Sequence, residues 1–262
     1  SRMNVATTKT VHATHSRRDI LGTEVAVIGR EGAMALLSEK IATRQFMPVT
    51  FLNAHNANVT IADAGFRAIL PRFLVLADGI GVDLASRILF GEPFPDNLNG
   101  TDFVPAFFRS HKDRLKIALL GARRENALAA VGKLAEQAPQ HDFVFLHDGY
   151  FNAQQEEAIL AQLEEMRPDV LLVAMGVPRQ ELWIAGHIRP EHCTVPIAVG
   201  ALFDFLSGAV PRAPLWMRRL RLEWLFRLGL EPRRLWRRYV VGNPIFLLRV
   251  FRQKFRSKRG GA

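Results

Sequence analysis

The sequence predicts an α/β fold: a Rossmann-like, mostly parallel sheet with helices on both faces, followed by a C-terminal appendage of basic amphipathic helices. Three observations predict it. Short apolar runs alternate with segments whose apolar residues recur every three or four positions, the mark of repeated strand–helix crossover units. Several runs are almost wholly apolar, as strands covered on both faces require. Most runs end in a small or polar turn, where a strand of an open parallel sheet passes into a helix.

Taken in order, residues 1–19 are polar and basic without a period, and are expected to form a flexible arm. The α/β domain is expected over 20–211. Its strand candidates are 24–28, 48–52, 72–77, 115–120, 142–146, 169–174 and 195–199. Helical stripes fall between them, one through Ala127, Leu128, Val131, Leu134 and Ala135, another through Ile159, Leu160, Leu163 and Met166. The turns after the strands are Asn53-Ala54, Asp78-Gly79, Gly121-Ala122, His147-Asp148-Gly149, Gly176 and Gly200. Any single one is explained by the turn itself. Together, at corresponding strand ends, they mark the edge where such sheets bind ligands.

The texture changes after Pro211. Residues 216–228 place apolar side chains at 216, 217, 220, 224, 225 and 228, on one helix. Glu231-Pro232 restarts the chain, with proline suited to a first helical turn. Leu235, Trp236, Tyr239 and Val240 then form a stripe beside Arg233, Arg234, Arg237 and Arg238. After Asn243-Pro244, a third helix sets Phe246, Leu247, Val250 and Phe251 against Arg249, Arg252 and Lys254. Basic amphipathic helices of this kind suit a membrane surface.

Composition narrows the class. A chain of 262 residues, 48% hydrophobic and 23% charged, holds a sizeable core and is not a disordered chain. Cys193 is the only cysteine, which excludes a disulfide framework and a cysteine-based zinc site and fits a reducing compartment. No apolar run is long enough to span a bilayer and no secretory leader is visible, so a soluble protein is expected. The net charge of +10 is uneven: residues 212–262 carry 15 basic and two acidic residues, residues 1–211 carry 20 and 23. The tail therefore calls for an anionic partner, a membrane surface or a nucleic acid. Its apolar stripes favour the membrane, and a nucleic-acid-binding α/β module is the alternative from another class.

Motifs narrow the chemistry. The nearest approach to a dinucleotide fingerprint, Asp78-Gly-Ile-Gly-Val-Asp83, lacks the third glycine, and no Walker A sequence occurs. No His and carboxylate cluster has metal-ligand spacing, so neither a metal nor a cofactor is expected. Asp78, at a strand's carboxyl end before Gly79-Ile80-Gly81, suits either a general base facing the crevice or an Asp-Gly turn residue. Asp83 reads as a helix-surface residue. Gly121-Ala-Arg-Arg-Glu125 opens a helix, where free N–H groups with Arg123 and Arg124 suit a nucleotide diphosphate; a plain glycine turn with solvated arginines suits the pattern equally. Gly176-Val-Pro-Arg-Gln-Glu181 repeats that layout, and Gln180 offers a donor and an acceptor to a base or sugar. Asp204, among bulky apolar neighbours, needs a specific partner or caps a helix.

Six motifs in order then carry a resemblance. They are Asp78-Gly-Ile-Gly, Gly176-x-Pro-x-Gln-Glu181, Gly200-Ala-x-Phe-Asp-Phe-x-Ser-Gly208, Arg212-Ala-Pro-x-Trp216, Leu222-Glu-Trp-Leu-Phe-Arg-Leu228 and Glu231-Pro-Arg-Arg-Leu-x-Arg-Arg-Tyr239. Over roughly residues 24–243 the chain resembles the WecG/TagA/CpsF glycosyltransferases, glycosyltransferase family 26. The resemblance implies an inverting, metal-independent enzyme at the cytoplasmic face of a bacterial inner membrane, using a UDP-sugar donor and a sugar on a polyprenyl diphosphate. It implies Asp78 as the base that activates the acceptor hydroxyl. Asn53, Gly79, Gly121, Gly176, Gln180, Glu181 and Asp204 are then expected around the donor. Arg227, Arg233, Arg234, Arg237 and Arg238 are expected on the acceptor diphosphate, within a tail that covers the site and docks on the anionic membrane through residues 212–262. This agrees with elementary electrostatics: without a metal, arginines must meet the charge of both diphosphates. The oligomeric state is left open.

Two departures bear on the donor. Where many relatives carry Thr-x-Asn, this chain has Phe51-Leu-Asn53, with Thr50 one position early; where many carry an Arg before Gly-x-Asp, Pro95-Asp-Asn-Leu-Asn-Gly-Thr-Asp102 has Asn97 or Leu98. The resemblance puts both positions near the donor sugar. The expected reaction is accordingly that of a xanthan-type exopolysaccharide transferase, moving glucose from UDP-glucose in a β-1,4 link. Transfer of N-acetylmannosamine to an N-acetylglucosaminyl-diphospho-lipid is the alternative.

Overall fold

The computed structural model describes residues 15–261. It opens with an antiparallel hairpin, β1 (Arg17–Ile20) and β2 (Thr23–Ala26), joined through Leu21 and Gly22, both at positive φ. Such turns match the twist of the strands they join. After α1 (Arg30–Thr43) come β3 (Val49–Leu52), α2 (Ala54–Ala62), α3 (Ala64–Ile69) and β4 (Leu74–Ala77). Then follow α4 (Ile80–Phe90), α5 (Gly100–Ser110), β5 (Lys116–Gly121), α6 (Arg124–Gln137), β6 (Asp142–His147) and α7 (Ala153–Met166). The body closes with β7 (Val170–Ala174), α8 (Arg179–His187), β8 (Val195–Ala198) and α9 (Leu202–Ser207). The C-terminal segment holds α10 (Leu215–Arg219), α11 (Glu223–Leu230), α12 (Pro232–Trp236), a π-helical stretch (Arg237–Val241) and α13 (Gly242–Arg259).

Six strands form one wholly parallel sheet in the order β4-β3-β8-β7-β5-β6. From β3 the chain winds outward to β4, from β5 outward the other way to β6, and β7 and β8 fill the middle. The strand pleat divides the core in two. Val49, Leu74, Leu76, Ile117, Leu119, Leu172 and Ile197 pack on one face with α1, α5, α6 and α9. Leu52, Val75, Ala118, Leu120, Leu171 and Val173 pack on the other with α2, α4, α7, α8 and α13. Fully apolar runs such as Val170–Ala174 follow from this double coverage, because neither face meets water.

Three expectations change. The arm shortens: Arg17–Ile20 is strand β1, while residues 1–14 lie outside the described residues. The run 24–28 pairs in the hairpin instead of joining the parallel sheet, because β2 has a neighbour, β1, close in sequence. The helix over 216–228 is two helices, broken at Arg221, whose φ is 59°.

The C-terminal segment packs into the body. Phe246 and Val250 of α13 are fully buried in the core that α2 and α4 share. Asn58 donates to the Gly242 carbonyl at 2.9 Å, Arg249 donates to Asn58 Oδ1 at 2.9 Å, and Gln253 bridges to the β1–β2 turn. The helix with the most positive charges thus packs into the core of the body.

Gly121 ends β5 at φ 127°, with its Cα against the backbone of Ala174 on β7, where any Cβ would collide. Gly121→Ala is expected to lower unfolding stability by more than about 1 kcal/mol, since both the positive φ and the collision act against it. Urea unfolding checks this; an unchanged midpoint would show that β5 and β7 separate freely.

Candidate active site

The carboxyl ends of the six parallel strands open into two adjoining cavities of about 500 Å³ each. The first takes in Thr50 within β3 and Asn53 after it, Asp78 after β4, Ala122 after β5, Tyr150 after β6, Gly176 after β7 and Gly200 after β8, with Arg227, Arg234 and Arg238 across the opening. The second is walled largely by Ile80, Leu84, Leu222, Trp224, Tyr239, Phe246 and Leu247. Asn53, His55, Asp78, Asn99, Thr101, Phe205, Arg227 and Arg238 border both. Asp78 therefore stands where the polar cavity meets the apolar one.

Local structure holds it there. The Asp78 N–H donates to the Leu52 carbonyl at 3.0 Å, continuing the β3–β4 ladder by one step. Gly79, at φ 92°, then turns the chain into α4 and donates its N–H to Asn97 Oδ1 at 2.7 Å. Gly81 lets α4 lie close on α2, because a Cβ there would press on Ala54. Asn53 caps α2 by accepting from the Asn56 N–H at 2.8 Å, and borders both cavities as well.

Electrostatics set the protonation states. Burial, with Glu223 and Asp102 nearby, raises Asp78 to about 7, against the opposing pull of Arg238 and Arg227. Burial and Arg238 lower His55 to about 4, so it is neutral at physiological pH. Burial also lowers Arg238 from its ordinary value. The Nε atoms of Arg218, Arg227 and Arg238 are buried without a hydrogen-bond partner. Buried donors of this kind are normally satisfied, and an anion in the cavity would satisfy them. Among the described residues no three His, Cys, Asp or Glu side chains come together as a metal site.

The expected donor residues divide. Asn53, Gly176, Gln180 and Asp204 line the first cavity and Gly79 the second. Gly121 does not; the neighbouring Ala122 does, and Arg124 instead lies over the Phe145 ring, 5.0 Å from its centroid. Asp204 accepts from Asn126 Nδ2 at 2.9 Å. Gln180 is largely used within the protein: its Oε1 accepts from the Gly200 N–H at 3.0 Å, and its Nε2 donates to Glu181 at 3.1 Å. Glu181 is wholly buried behind it, also accepting from Thr50 Oγ1 at 2.9 Å, and burial raises its pKa. It braces the wall and does not face the cavity.

The expected arginines divide too. Arg227, Arg234 and Arg238 reach the cavities; Arg233 and Arg237 border neither, and Arg237 lies over Trp236. Helical geometry explains this, since adjacent residues point to different sides, and only one member of each pair, Arg233-Arg234 and Arg237-Arg238, turns to the cavities. Asp83 is a correction: it is buried, accepts from the Phe94 N–H at 3.3 Å and pairs with Arg221. His55, Asn99, Thr101, Arg218, Arg221 and Glu223 were missed. All six lay in or near stretches already singled out, such as Pro95–Asp102 for Asn99 and Thr101, but spacing alone does not tell a side chain that enters a cavity from a solvated one. The two departures, at Phe51 and Asn97, both fall on cavity walls.

Comparison with known proteins adds to this geometry. The family model described as "Glycosyl transferase WecG/TagA/CpsF family" matches residues 18–260. The chain is 33% identical over 214 residues to an N-acetylglucosaminyldiphosphoundecaprenol N-acetyl-β-D-mannosaminyltransferase of Bacillus subtilis (strain 168), covering 80% of this chain and 81% of that protein. It is 31% identical over 186 residues to a protein of the same name from Staphylococcus aureus (strain NCTC 8325 / PS 47), covering 71% of each.

Asp78 also carries a stability signature. Folded, it keeps its proton up to about pH 7; unfolded, it loses it near 3.8. Between those values the folded state binds the extra proton, so stability falls as pH rises. Asp78→Asn is expected to be more stable than the parent at pH 8, by on the order of 2–3 kcal/mol after allowance for solvent at the cavity mouth, and so to melt at a higher temperature. The gap should close towards pH 4. Thermal melts across that range check it, and a gap independent of pH would contradict the raised pKa.

Proposed function

The chain belongs to the WecG/TagA/CpsF family of glycosyltransferases, and from that premise we propose that it moves N-acetylmannosamine from a UDP-sugar to the N-acetylglucosamine of a diphospho-polyprenol. One observation carries the reading: Asp78, with a pKa raised to about 7, borders both a polar cavity edged with arginines and an apolar one. The donor sits in the polar cavity at the strand ends and the acceptor in the apolar one, so that their reacting atoms meet at Asp78.

In the reaction the acceptor hydroxyl oxygen forms a bond to the anomeric carbon from the face opposite the diphosphate. Asp78 takes the hydroxyl proton as that bond forms, and a base near neutrality suits this role. The carbon–oxygen bond to UDP breaks, and its electron pair stays on the diphosphate. Arg227, Arg234 and Arg238 meet that charge in a site partly closed to water, where it counts for most. These arginines supply positive charge without a metal. Inversion follows from attack on the opposite face.

The choice of donor follows the relatives, whose names specify N-acetylmannosaminyl transfer to an N-acetylglucosaminyl-diphospho-lipid. It replaces the glucose expected from Phe51 and Asn97. Incubation with UDP-N-acetylmannosamine and UDP-glucose, each with short-chain N-acetylglucosaminyl- and glucosyl-diphospho-lipids, tests it by product mass. An N-acetylhexosamine gain on the first lipid is expected; a hexose gain would restore the glucose reading. Asp78→Ala should lower turnover at least a hundredfold while UDP binding persists, and unchanged turnover would overturn the base assignment.

The lipid acceptor requires approach to a bilayer, proposed here as the cytoplasmic face of an inner membrane. No helix among the described residues is long and apolar enough to cross one. Twelve of the nineteen large apolar side chains exposed among the described residues lie between Leu215 and Phe255, in the segment that also carries the basic excess. That coincidence favours a bilayer over nucleic acid. Replacing Trp216 and Leu220, exposed at 61% and 60%, by serine should weaken sedimentation with anionic vesicles at least several-fold without lowering the melting temperature. Undiminished binding would move the docking surface elsewhere.

A further inference from the structure

We propose that Glu223 is a positioning residue for the transfer reaction, acting on Asp78 across the second cavity as a fixed negative charge that strengthens it as a proton acceptor. The proposal rests on the reading of Asp78 as the base.

The seat of Glu223 is unusually determined. Arg212 donates from Nε to Glu223 Oε1 at 2.7 Å and from Nη2 to Oε2 at 3.3 Å. Asn99 Nδ2 donates to Oε2 at 3.2 Å. The same guanidinium reaches Asp102, at 2.9 Å from Nη1 and 3.2 Å from Nη2. One arginine thus fixes two carboxylates that come from α11 and α5. Glu223 and Asp102 both line the second cavity with Asp78, whereas Arg212 lines neither cavity. The two carboxylates thus border the same cavity as Asp78, and their shared counter-ion does not.

Seven other charged or titratable groups share that cavity with Asp78. They are His55 from α2, Asp102 from α5, Arg218 from α10, Arg221 before α11, Arg227 from α11, and Arg238 and Tyr239 from the π-helical stretch. Glu223 is the strongest single charge acting on Asp78, and only burial exceeds it; Asp102 acts in the same direction and Arg238 and Arg227 oppose. The sign is chemically useful. Arg227 and Arg238, needed for the diphosphates, would by themselves hold Asp78 ionised but weakly basic. A fixed carboxylate opposes that effect and leaves the arginines in place.

The experiment is the pH profile of kcat/KM for the full chain and its variants, with UDP-sugar and short-chain acceptor. Glu223→Gln keeps the shape and one of the two acceptor oxygens but removes the charge. Its acid limb is expected at lower pH than the parent's, with kcat/KM on the alkaline plateau roughly three- to tenfold lower as the base weakens. Glu223→Asp should return the limb towards the parent position. A limb that does not move in Glu223→Gln, with Asp78→Ala inactive throughout, overturns this proposal and leaves the base assignment standing. Activity retained in Asp78→Ala overturns the base assignment itself. If Glu223→Gln does not fold, Asp102→Asn gives the same readout, since its carboxylate acts on Asp78 with the same sign.

Discussion

Arg212 joins Asp102 of the body to Glu223 of the C-terminal segment, and much of the site's geometry depends on that junction. A segment with 15 basic and two acidic residues repels itself, so it folds against the body only where acids and apolar surface receive it. Asp102 receives Arg212 and Arg218, and the buried Asp83 receives Arg221. Further on, α13 is held by burial of Phe246 and Val250. These anchors draw α10 and α11 over the strand ends. The second cavity is the space left between them and α4.

The same placement produces a tension. Covering Asp78 with protein removes the water that would stabilise its charge, and the carboxylates that anchor the segment add to the cost. A protein selected for stability alone would not keep an aspartate there. Strain of this kind gathers at functional sites and is offset by the rest of the fold. The offset here is plain: a six-stranded sheet buried on both faces supplies a large core on either side of the crevice. Gly79 and Gly121 let the backbone make the sharp turns that the crevice needs.

In the function proposed above, the C-terminal segment would do two jobs with different residues. Arg227, Arg234 and Arg238 turn inward to the cavities, and Trp216, Leu220, Phe251 and Phe255 are left exposed. An acceptor with a charged head and an apolar tail calls for that division, since the head needs paired positive charge and the tail needs a dry path out of the bilayer. The break at Arg221 separates α10 from α11, so that each presents its own face and no single stripe runs through both.

Much of this was legible in the sequence. The alternation of apolar runs with helical stripes sufficed for the α/β class, and the small turns after the strands located the crevice, because periodicity and turn chemistry are local properties. Asp78 stood out for the same reason, at the end of one such run. What the tertiary structure decided was which charges meet. Asp83 looked like a surface residue and is buried against Arg221; Glu181 looked like a ligand contact and braces Gln180; Glu223 stood in a motif with no role of its own and borders the same cavity as Asp78. Each depends on a partner or neighbour brought close by the winding of the sheet, as with Arg212 and Asp102, 110 residues apart. Local pattern records how a side chain sits on its own helix. The environment that sets its charge and its work comes from elements far away in the chain.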